Sequence, residues 1–316
     1  MAAEATIPEL DAQYRAIREE AGLLDRSERG KLIVSGPEAI DYLQGQLTNE
    51  LEALAAGQGC YAALLDRKAH VLADARVLIQ ADRSVWLDTE AVALERLRKH
   101  LGTYKVGREV ELEDVTGERA ILSLLGPGAA AAAGVAQPGP EHAHREAEVG
   151  GAECVAVATA GGIDLICEAE AAERVSSELL DSGAVPVTEP AAEIARVEAG
   201  LPRYGREITE ETMPAEAGII ERAIDFEKGC YIGQEPVARL HYRGKPNRRL
   251  CSLRLSAPAE DGDVLHLGER EVGAIATAVV SPRLGPIALA IVRREAEPGS
   301  TVTVGESGVT AEIAEP

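Results

Sequence analysis

The sequence predicts an α+β protein that ends in a separate antiparallel β-barrel. Strand-like and helix-like patterns alternate as far as Arg249. Beyond Arg249, six short β segments without a helical period are separated by Gly, Pro and acids. At 316 residues the chain is long enough for two or three domains.

The first predicted unit is a strand followed by a helix. Residues 31–35 are apolar and lead into Ser35-Gly-Pro-Glu38, which matches a capping box. Apolar residues then recur at three- and four-residue steps as far as Leu54. This pattern predicts one amphipathic helix that ends before Gly57.

The period changes to two in residues 71–79, which predicts a strand. Asp74 lies in the middle of this strand, where an unpaired carboxylate among apolar neighbours is costly. Its candidate partners are Arg76, on the same strand face, and a ligand that donates hydrogen bonds; the strand pattern favours Arg76. Another strand at 85–88 follows, and then a helix that contains Leu94, Leu97 and Leu101.

The middle of the chain repeats this mixture of elements. Residues 134–151 are rich in Gly, Pro, His and acids and predict a loop or mobile insertion. Glu198 lies in the last turn of a predicted helix, where the helix dipole disfavours an acid, so we expect a cationic or hydrogen-bond-donating partner. The remaining predicted strands are 120–125, 153–159 and 163–167, and the predicted helices are 170–181 and 190–200.

The net charge of −21 argues against a broad nucleic-acid surface, because neutralising phosphates requires a basic face. One basic segment stands out, which we call the basic island, residues 228–254. It contains seven Lys or Arg and a single acid, Glu235. The basic island therefore predicts a local anionic ligand.

Cys230 lies two residues after Lys228 in the basic island. Nearby cations favour a thiolate, so Cys230 is a candidate reactive residue; a half-buried structural cysteine is the alternative. The five cysteines are scattered without a Cys-x-x-Cys pair, which supports neither a disulfide framework nor a zinc site. The pair His142 and His144 lies in the predicted loop, and we predict no metal site there.

No apolar run reaches the 18 or more residues that a membrane helix requires, and the acidic N-terminal segment lacks a signal-peptide core. We therefore expect a cytoplasmic protein without a membrane partner.

The segment Lys-Gly-Cys-Tyr-Ile-Gly-Gln-Glu, residues 228–235, closely resembles the defining motif of the YgfZ family of folate-binding proteins. Three further segments look like the corresponding parts of YgfZ and of its relative, the glycine-cleavage T-protein: RSERGKLIVSGPEAIDYLQGQLTNEL, RVEAGLPRYG and VGAIATAVVSPRLGPIALAIV. Nearly the whole chain is covered in the same order.

The resemblance implies a T-protein-like fold of three domains around a central tetrahydrofolate channel. Residues 1–56 and 118–244 would form a discontinuous folate-binding α+β domain, residues 57–117 an inserted α+β domain, and residues 245–316 the β-barrel. Relatives commonly carry Gly and a basic residue before the Asp74 strand, whereas this chain has Arg67-Lys68-Ala69-His70, so the shape of that turn is expected to differ.

A reduced pterin presents paired N–H groups that a carboxylate accepts, and its glutamate tail suits Arg or Lys. Asp74 and Glu198 fall where T-proteins place acids that contact the folate, and Arg239 and its basic neighbours would meet the tail. The resemblance thus implies Cys230 and Lys228 as catalytic residues, and as cofactor-binding residues Asp74, Glu198, Tyr231, Gln234 and Arg239.

Two functions follow from the resemblance. The first is a tetrahydrofolate-binding, YgfZ-like protein that supports assembly or repair of iron–sulfur clusters through Cys230, with iron–sulfur client or assembly proteins as partners. The alternative is an aminomethyltransferase of the T-protein type, which transfers a one-carbon unit to tetrahydrofolate. Because T-protein chemistry needs a carboxylate and no cysteine, Cys230 favours the first function. A folate-binding scaffold without turnover would use the same residues.

Overall fold

The computed structural model describes residues 8–306 and 308–316. Residues 1–7, at the start of the predicted first domain, lie outside this part. Among the described residues, no helix has both the length and the apolar character needed to cross a membrane.

Helices and strands alternate until the last quarter of the chain, which is formed by strands alone. The helices are α1 (Leu10–Glu19), α2 (Ala39–Gln44), α3 (Ala91–Tyr104), α4 (Ala129–Ala133), α5 (Ala172–Asp181), α6 (Glu189–Glu198), α7 (Ile220–Ala223) and α8 (Gln234–Arg243). The strands are β1 (Gly22–Asp25), β2 (Gly30–Ser35), β3 (Gly59–Leu65), β4 (Val71–Ile79), β5 (Val85–Thr89), β6 (Glu111–Asp114), β7 (Arg119–Leu125), β8 (His144–Val149), β9 (Ala152–Thr159), β10 (Gly162–Glu168), β11 (Val185–Pro186), β12 (Arg248–Leu255), β13 (Val264–Leu267), β14 (Arg270–Ser281), β15 (Gly285–Arg293), β16 (Thr301–Val304) and β17 (Val309–Ala314).

The strands form two open sheets and a barrel. The first sheet has five strands in the order β3-β4-β5-β2-β6, and the second has six in the order β11-β1-β7-β10-β9-β8. Strands β12 to β17 close a barrel in the order β12-β15-β14-β13-β16-β17. The predicted α+β class and the six-stranded antiparallel barrel are thus confirmed.

The pairing of β2 differs from the predicted division of the chain. Leu32 of β2 pairs with Leu87 of β5, so β2 belongs to the same sheet as the strands between residues 59 and 114. The predicted boundary between residues 56 and 57 therefore separates strands of one sheet. Strand β1 is the part of the first 56 residues that pairs in the second sheet, with β7 and β11. The three-domain division itself stays a prediction.

Two local predictions were wrong. The helix predicted as far as Leu54 ends at Gln44, because the next residues pair with β3 instead: Leu47 forms a bridge with Leu64, and the Thr48 amide donates to Ala63 O. The loop predicted over 134–151 contains β8, which pairs along its length with β9. Tertiary pairing decided the structure in both segments.

The two open sheets pack face to face through β4. Leu78 of β4 is buried with Ile121, Val157 and Ile166 of the second sheet. Successive residues of a strand point to opposite faces, so Asp74 shares this face with Leu78. The fold thereby places Asp74 on the sheet face that meets the second sheet.

Four arginines connect the layers of the fold through ion pairs, and we call them the arginine chain. Each contacts at least two acids, with most of the N–O distances between 2.5 and 3.0 Å. One of the four, Arg196, also donates a hydrogen bond to Thr277 of barrel strand β14. The contacts are Arg76 with Asp88 and Asp164, Arg29 with Asp88 and Glu90, Arg203 with Glu90, Glu189 and Glu193, and Arg196 with Glu193 and Glu207.

Candidate functional site

Asp74 is buried in the middle of β4, with 7% of its surface exposed. The Tyr61 hydroxyl on the neighbouring strand β3 donates a hydrogen bond of 2.6 Å to Asp74 Oδ2. The strand register explains this contact: Ala63 lies opposite Asp74, and Tyr61 is the diagonal neighbour two residues away on the same face. Among the described residues, no side chain donates a hydrogen bond to the second oxygen, Oδ1.

Burial raises the pKa of Asp74 to about 6, while the hydrogen bond from Tyr61 acts in the opposite direction. Glu90 also raises it, and Arg29 lowers it. A carboxyl group with this pKa exchanges its proton near neutral pH, which is the property of a general acid or base.

Arg76, the predicted protein partner of Asp74, lies on the same strand but binds other acids. Its guanidinium contacts Asp88 of β5 and Asp164 of β10, each at 2.6 Å. The prediction that Arg76 neutralises Asp74 was therefore wrong, because its guanidinium forms ion pairs with a carboxylate of the neighbouring strand β5 and one of β10 in the second sheet. Tyr61 takes the role of partner instead.

Lys228 is buried, and its ammonium group points away from solvent. Nζ donates to the backbone oxygens of Gln44, Leu47 and Asn49 at 2.7–2.8 Å. Burial lowers the pKa of Lys228 to about 8. These contacts anchor the segment that carries Cys230 to the end of α2, so Lys228 has a positioning role in this structure.

Cys230 is the one exposed cysteine among the described residues. The neighbouring Tyr231 is buried; its ring lies 5.4 Å from Lys228 Nζ, and burial raises its pKa to about 12. Gln234 is the first residue of α8, and its backbone N–H donates a hydrogen bond to Tyr231 O at 3.3 Å. The side chains of Lys228 and Tyr231 are thus buried, and the thiol of Cys230 between them in the sequence is exposed.

Asn49 connects the Cys230 segment to the Asp74 cluster, and sequence reasoning missed it. Its backbone oxygen accepts from Lys228, while its side-chain Nδ2 donates to Tyr61 O at 2.9 Å and to Arg222 O at 3.1 Å. The Arg222 guanidinium lies over the Tyr61 ring at 5.3 Å. The only available signal was the position of Asn49 within the LTNEL segment that resembles the family.

Glu198 lies in a different environment, at the end of α6. Its side chain is 1% exposed, and Oε1 accepts hydrogen bonds from Tyr14 at 2.8 Å and from Ser281. Arg283 donates to Oε2 at 3.1 Å. Burial opposes ionisation of Glu198, but these hydrogen bonds outweigh it and lower the pKa.

These donors are the cationic and hydrogen-bonding partners that the position of Glu198 in its helix led us to expect. They come from α1 and from the β14–β15 hairpin of the barrel. Within the described part of the chain, no hydrogen bond or ion pair joins Glu198 to Asp74. Two carboxylates do not pair with each other, so the contact of both acids with one folate stays a prediction.

Arg239 lies exposed on α8, as do Arg243 at the end of that helix and Lys245 just after it. By contrast, Arg248 pairs with Glu216 at 2.9 Å, and Arg249 donates to Ala296 O. The basic island is thus divided into cations that the protein uses itself and an exposed group on and after α8.

The Asp74 cluster fits a ligand that donates hydrogen bonds, because Asp74 Oδ1 takes none from another side chain and the carboxylate is largely shielded from water. Glu198 fits such a ligand less well, since both of its oxygens already accept protein donors. An open cavity of about 470 Å³ lies away from both acids, beside Ser35–Pro37 and Asp82–Ser84.

Comparisons with known proteins agree with the fold. Residues 3–228 match the family model described as the GCVT N-terminal domain. An aminomethyltransferase from Rubrobacter xylanophilus is 29% identical and aligns with 96% of this chain and 84% of its own. One from Symbiobacterium thermophilum is 30% identical, over 89% and 80%. The crystal structure of glycine cleavage system aminomethyltransferase T from Bartonella henselae superposes with a TM-score of 0.87 at 24% identity, covering 97% of this chain and 88% of that one.

Proposed function

Because the chain belongs to the family of the GCVT N-terminal domain, we propose that it is a tetrahydrofolate-dependent aminomethyltransferase. The relatives named aminomethyltransferase support this function, which was the alternative in our sequence analysis. The YgfZ-like function, which Cys230 favoured from the sequence, is the second candidate.

The observation that best supports aminomethyl transfer is the environment of the Asp74 carboxyl group. It is buried, held by Tyr61 through Oδ2, and has a pKa raised to about 6. Such a group can give or take a proton at Oδ1 without leaving its position. Tetrahydrofolate, when bound, would supply the nitrogen atoms that accept the one-carbon unit.

The residues around Asp74 would orient that proton transfer. Tyr61 fixes the rotation of the carboxyl group, and Asn49 fixes the backbone of Tyr61. Arg222 covers the Tyr61 ring and adds a positive charge beside it. We assign Asp74 the catalytic role, and Tyr61 and Asn49 positioning roles.

The test is an aminomethyl-transfer assay with tetrahydrofolate and an aminomethyl-lipoyl donor, comparing Asp74→Asn with the wild-type protein. We expect a loss of about 10²-fold or more in kcat, the usual contribution of a general acid or base. Asp82→Asn is the matched control, because Asp82 lies outside the Asp74 cluster and accepts hydrogen bonds from the backbone and the side chain of Ser84, two residues further on. Full activity of Asp74→Asn, or a wild-type protein inactive with every aminomethyl donor, would refute the proposal.

A second candidate function rests on Cys230. This exposed thiol is carried by a segment that Lys228 anchors through three hydrogen bonds, which suits a reactive residue held in a fixed position. In the YgfZ-like function, this cysteine supports iron–sulfur enzymes in a folate-dependent way. Cys230→Ser separates the two: it should keep aminomethyl transfer if Asp74 does the chemistry, and should fail to restore iron–sulfur enzyme activity in cells if the thiol does.

A further inference from the structure

We infer that Cys154 and Cys167 form an oxidation site, which closes to a cross-strand disulfide when a hydroperoxide reaches the folded protein. The two residues lie directly opposite each other on β9 and β10. Both are buried, with 5% and 1% of their surfaces exposed. This inference is independent of the proposed transferase function.

The hydrogen-bond pattern of the hairpin determines the type of this pair. The N–H and C=O of Ala158 bond to the segment on the other side of β9, at Ala143 and His142. Ala158 therefore makes no ladder bonds to Ile163, its partner on β10. Hydrogen-bonded and non-hydrogen-bonded pairs alternate along antiparallel strands, so Cys154, four residues before Ala158, also forms a non-hydrogen-bonded pair.

The geometry of such a pair suits a disulfide. Non-hydrogen-bonded pairs have Cα atoms about 4.5 Å apart, with their side chains on the same face and close together. Disulfides span Cα distances of roughly 4.4–6.8 Å. Closing the bond therefore requires little movement of β9 or β10.

The two thiols also interact chemically. Cys154 Sγ donates a hydrogen bond to Ala152 O at 3.6 Å. The interaction with Cys167, together with burial, raises the pKa of Cys154, whereas the same interaction lowers the pKa of Cys167. Arg119 acts to lower the pKa of Cys167 further, against the effect of burial. Cys167 is thus the member of the pair that becomes a thiolate more readily, and Cys154 is the partner that holds the proton.

The described residues contain no second pair of this kind. Cys60 lies opposite Val77, and Cys251 lies opposite Ala290. Cys230 is exposed outside the strands. Cys154 and Cys167 alone have the arrangement that a disulfide requires.

The reaction balances with a hydroperoxide as the two-electron oxidant. The Cys167 thiolate attacks the terminal peroxide oxygen; the O–O bond breaks, a sulfenic acid forms, and the other oxygen leaves as an alcohol or water after taking up a proton. The Cys154 sulfur then attacks the sulfenic sulfur, and its proton leaves with the hydroxyl group as water. Two thiols are oxidised to one disulfide, and the peroxide is reduced.

The test is to treat the intact protein with hydrogen peroxide, block the remaining thiols, and map peptides without reduction. We expect a linked peptide pair containing Cys154 and Cys167, a mass lower by two hydrogens, and an unfolding temperature raised by a few degrees, because the bond constrains the unfolded chain. Cys60→Ser is the matched control and should give the same linked pair.

Two variants resolve the order of the steps. In Cys154→Ala, Cys167 should be trapped as a sulfenic acid by a dimedone reagent; in Cys167→Ala, labelling of Cys154 should be much slower. The inference is overturned if both cysteines remain as free thiols while Cys230 is oxidised, or if the disulfides found join other residues. Peptide mapping of the wild-type protein decides this even where a variant folds poorly.

Discussion

The Tyr61 hydroxyl and Asp74 Oδ2 are 2.6 Å apart on neighbouring strands, where Asp74 is buried and Tyr61 is partly buried. Asp74 thereby keeps one oxygen bound and offers the other. Removing the hydroxyl should change the proton affinity of Asp74 without changing the charge of the site.

Tyr61→Phe should raise the pKa of Asp74 above its value of about 6, because the lost hydrogen bond favours the ionised form. We expect the limb of the pH–activity profile that Asp74 controls to move to higher pH. The measurement is kcat/KM for aminomethyl transfer between pH 5 and 9. Tyr42→Phe removes a hydroxyl bonded to Leu101 O and should leave the profile unchanged; an unshifted limb in Tyr61→Phe would argue against Asp74 as the titrating group.

Asp74→Asn should stabilise the protein at alkaline pH. The pKa of Asp74 is raised in the folded state from 3.8 to about 6. The contribution of Asp74 to the free energy of unfolding is therefore fully present below about pH 4, and it is lost as the pH rises through about 6. Asparagine is not subject to this penalty, and we expect a gain of about 1–3 kcal/mol in unfolding free energy at pH 8. Urea unfolding at pH 8 and pH 4.5 should show the gain shrinking at the lower pH.

The control for this measurement is Asp82→Asn. A hydrogen bond from the Ser84 side chain lowers the pKa of Asp82, which is the opposite direction. Its stabilising effect is present above the unfolded pKa and lost as the pH falls, so this variant should show no gain at pH 8. Equal responses of the two variants would contradict the pKa assignments.

Lys228→Met should destabilise the fold by about 2–4 kcal/mol, because it leaves three inward-pointing backbone oxygens without their shared donor. Lys245→Met, which removes an exposed cation of the same basic island, should change stability within experimental error. Chemical denaturation of both variants makes the comparison. A small effect at Lys228 would mean that water replaces the ammonium group.

Glu198→Gln should lower the unfolding free energy by about 1–2 kcal/mol, since Tyr14, Ser281 and Arg283 lose a charged acceptor. Arg283→Ala should have a smaller effect, because the Arg283 side chain is 53% exposed. Calorimetric titration of Glu198→Gln with tetrahydrofolate separates the two roles of this acid. Unchanged affinity would assign Glu198 to the interface between α6 and the barrel, and a large loss would place it in the folate site.

The exposed cations on and after α8 should bind the anionic tail of a folate. If Arg239 contacts that tail, a polyglutamylated folate should bind more tightly than the monoglutamate, and added salt should reduce the difference. Arg239→Gln should remove the preference, whereas Arg254→Gln, on the barrel, should not. Equal affinities of the two folates at low salt would exclude the contact.

The sequence predicted most of the elements because their periods were clear. The six barrel strands lie within two residues of the segments that the pattern predicts, 250–255, 263–267, 271–280, 286–293, 300–304 and 309–313. It failed where pairing at a distance decided the outcome. The segment after Gln44 has a helical apolar pattern, yet its backbone bonds to β3. Strand β8 is rich in charged residues and has no clear apolar period, so the sequence did not predict it; its hydrogen bonds come from pairing with β9.

The candidate site was predicted in part. Asp74 was found because a carboxylate in an apolar strand needs an explanation, but its partner Tyr61 became visible only through the register of β3 and β4. Lys228 was expected beside a reactive thiol, whereas its ammonium group turns inward to Asn49 and α2. The direction of a side chain from a loop depends on what packs beneath it, and no local pattern encodes that.

The turn before β4 shows a similar limit. Ala69 is buried and adopts φ 67°, a left-handed conformation that favours glycine. The chain holds this conformation with an alanine, because the Ala69 amide donates to Asp66 O and the Asp66 side chain accepts from the His70 amide. The hydrogen bonds of the turn therefore outweigh the strain of one residue.

The arginine chain bears on how the chain avoids wrong arrangements while it folds. The core is built mainly from Leu, Val, Ile and Ala, and its large aromatic side chains are four buried tyrosines, since the single Phe and the single Trp are only partly buried. An arginine that must meet acids from two different strands, as Arg76 meets Asp88 and Asp164, tolerates only one placement of the two sheets. A sheet shifted by one residue would bury a guanidinium without its acids, at a cost of several kcal/mol. The buried charges would thus make assembly selective: misdocked arrangements of the sheets are destabilised by an unpaired arginine, whereas an aliphatic core alone would discriminate against them less.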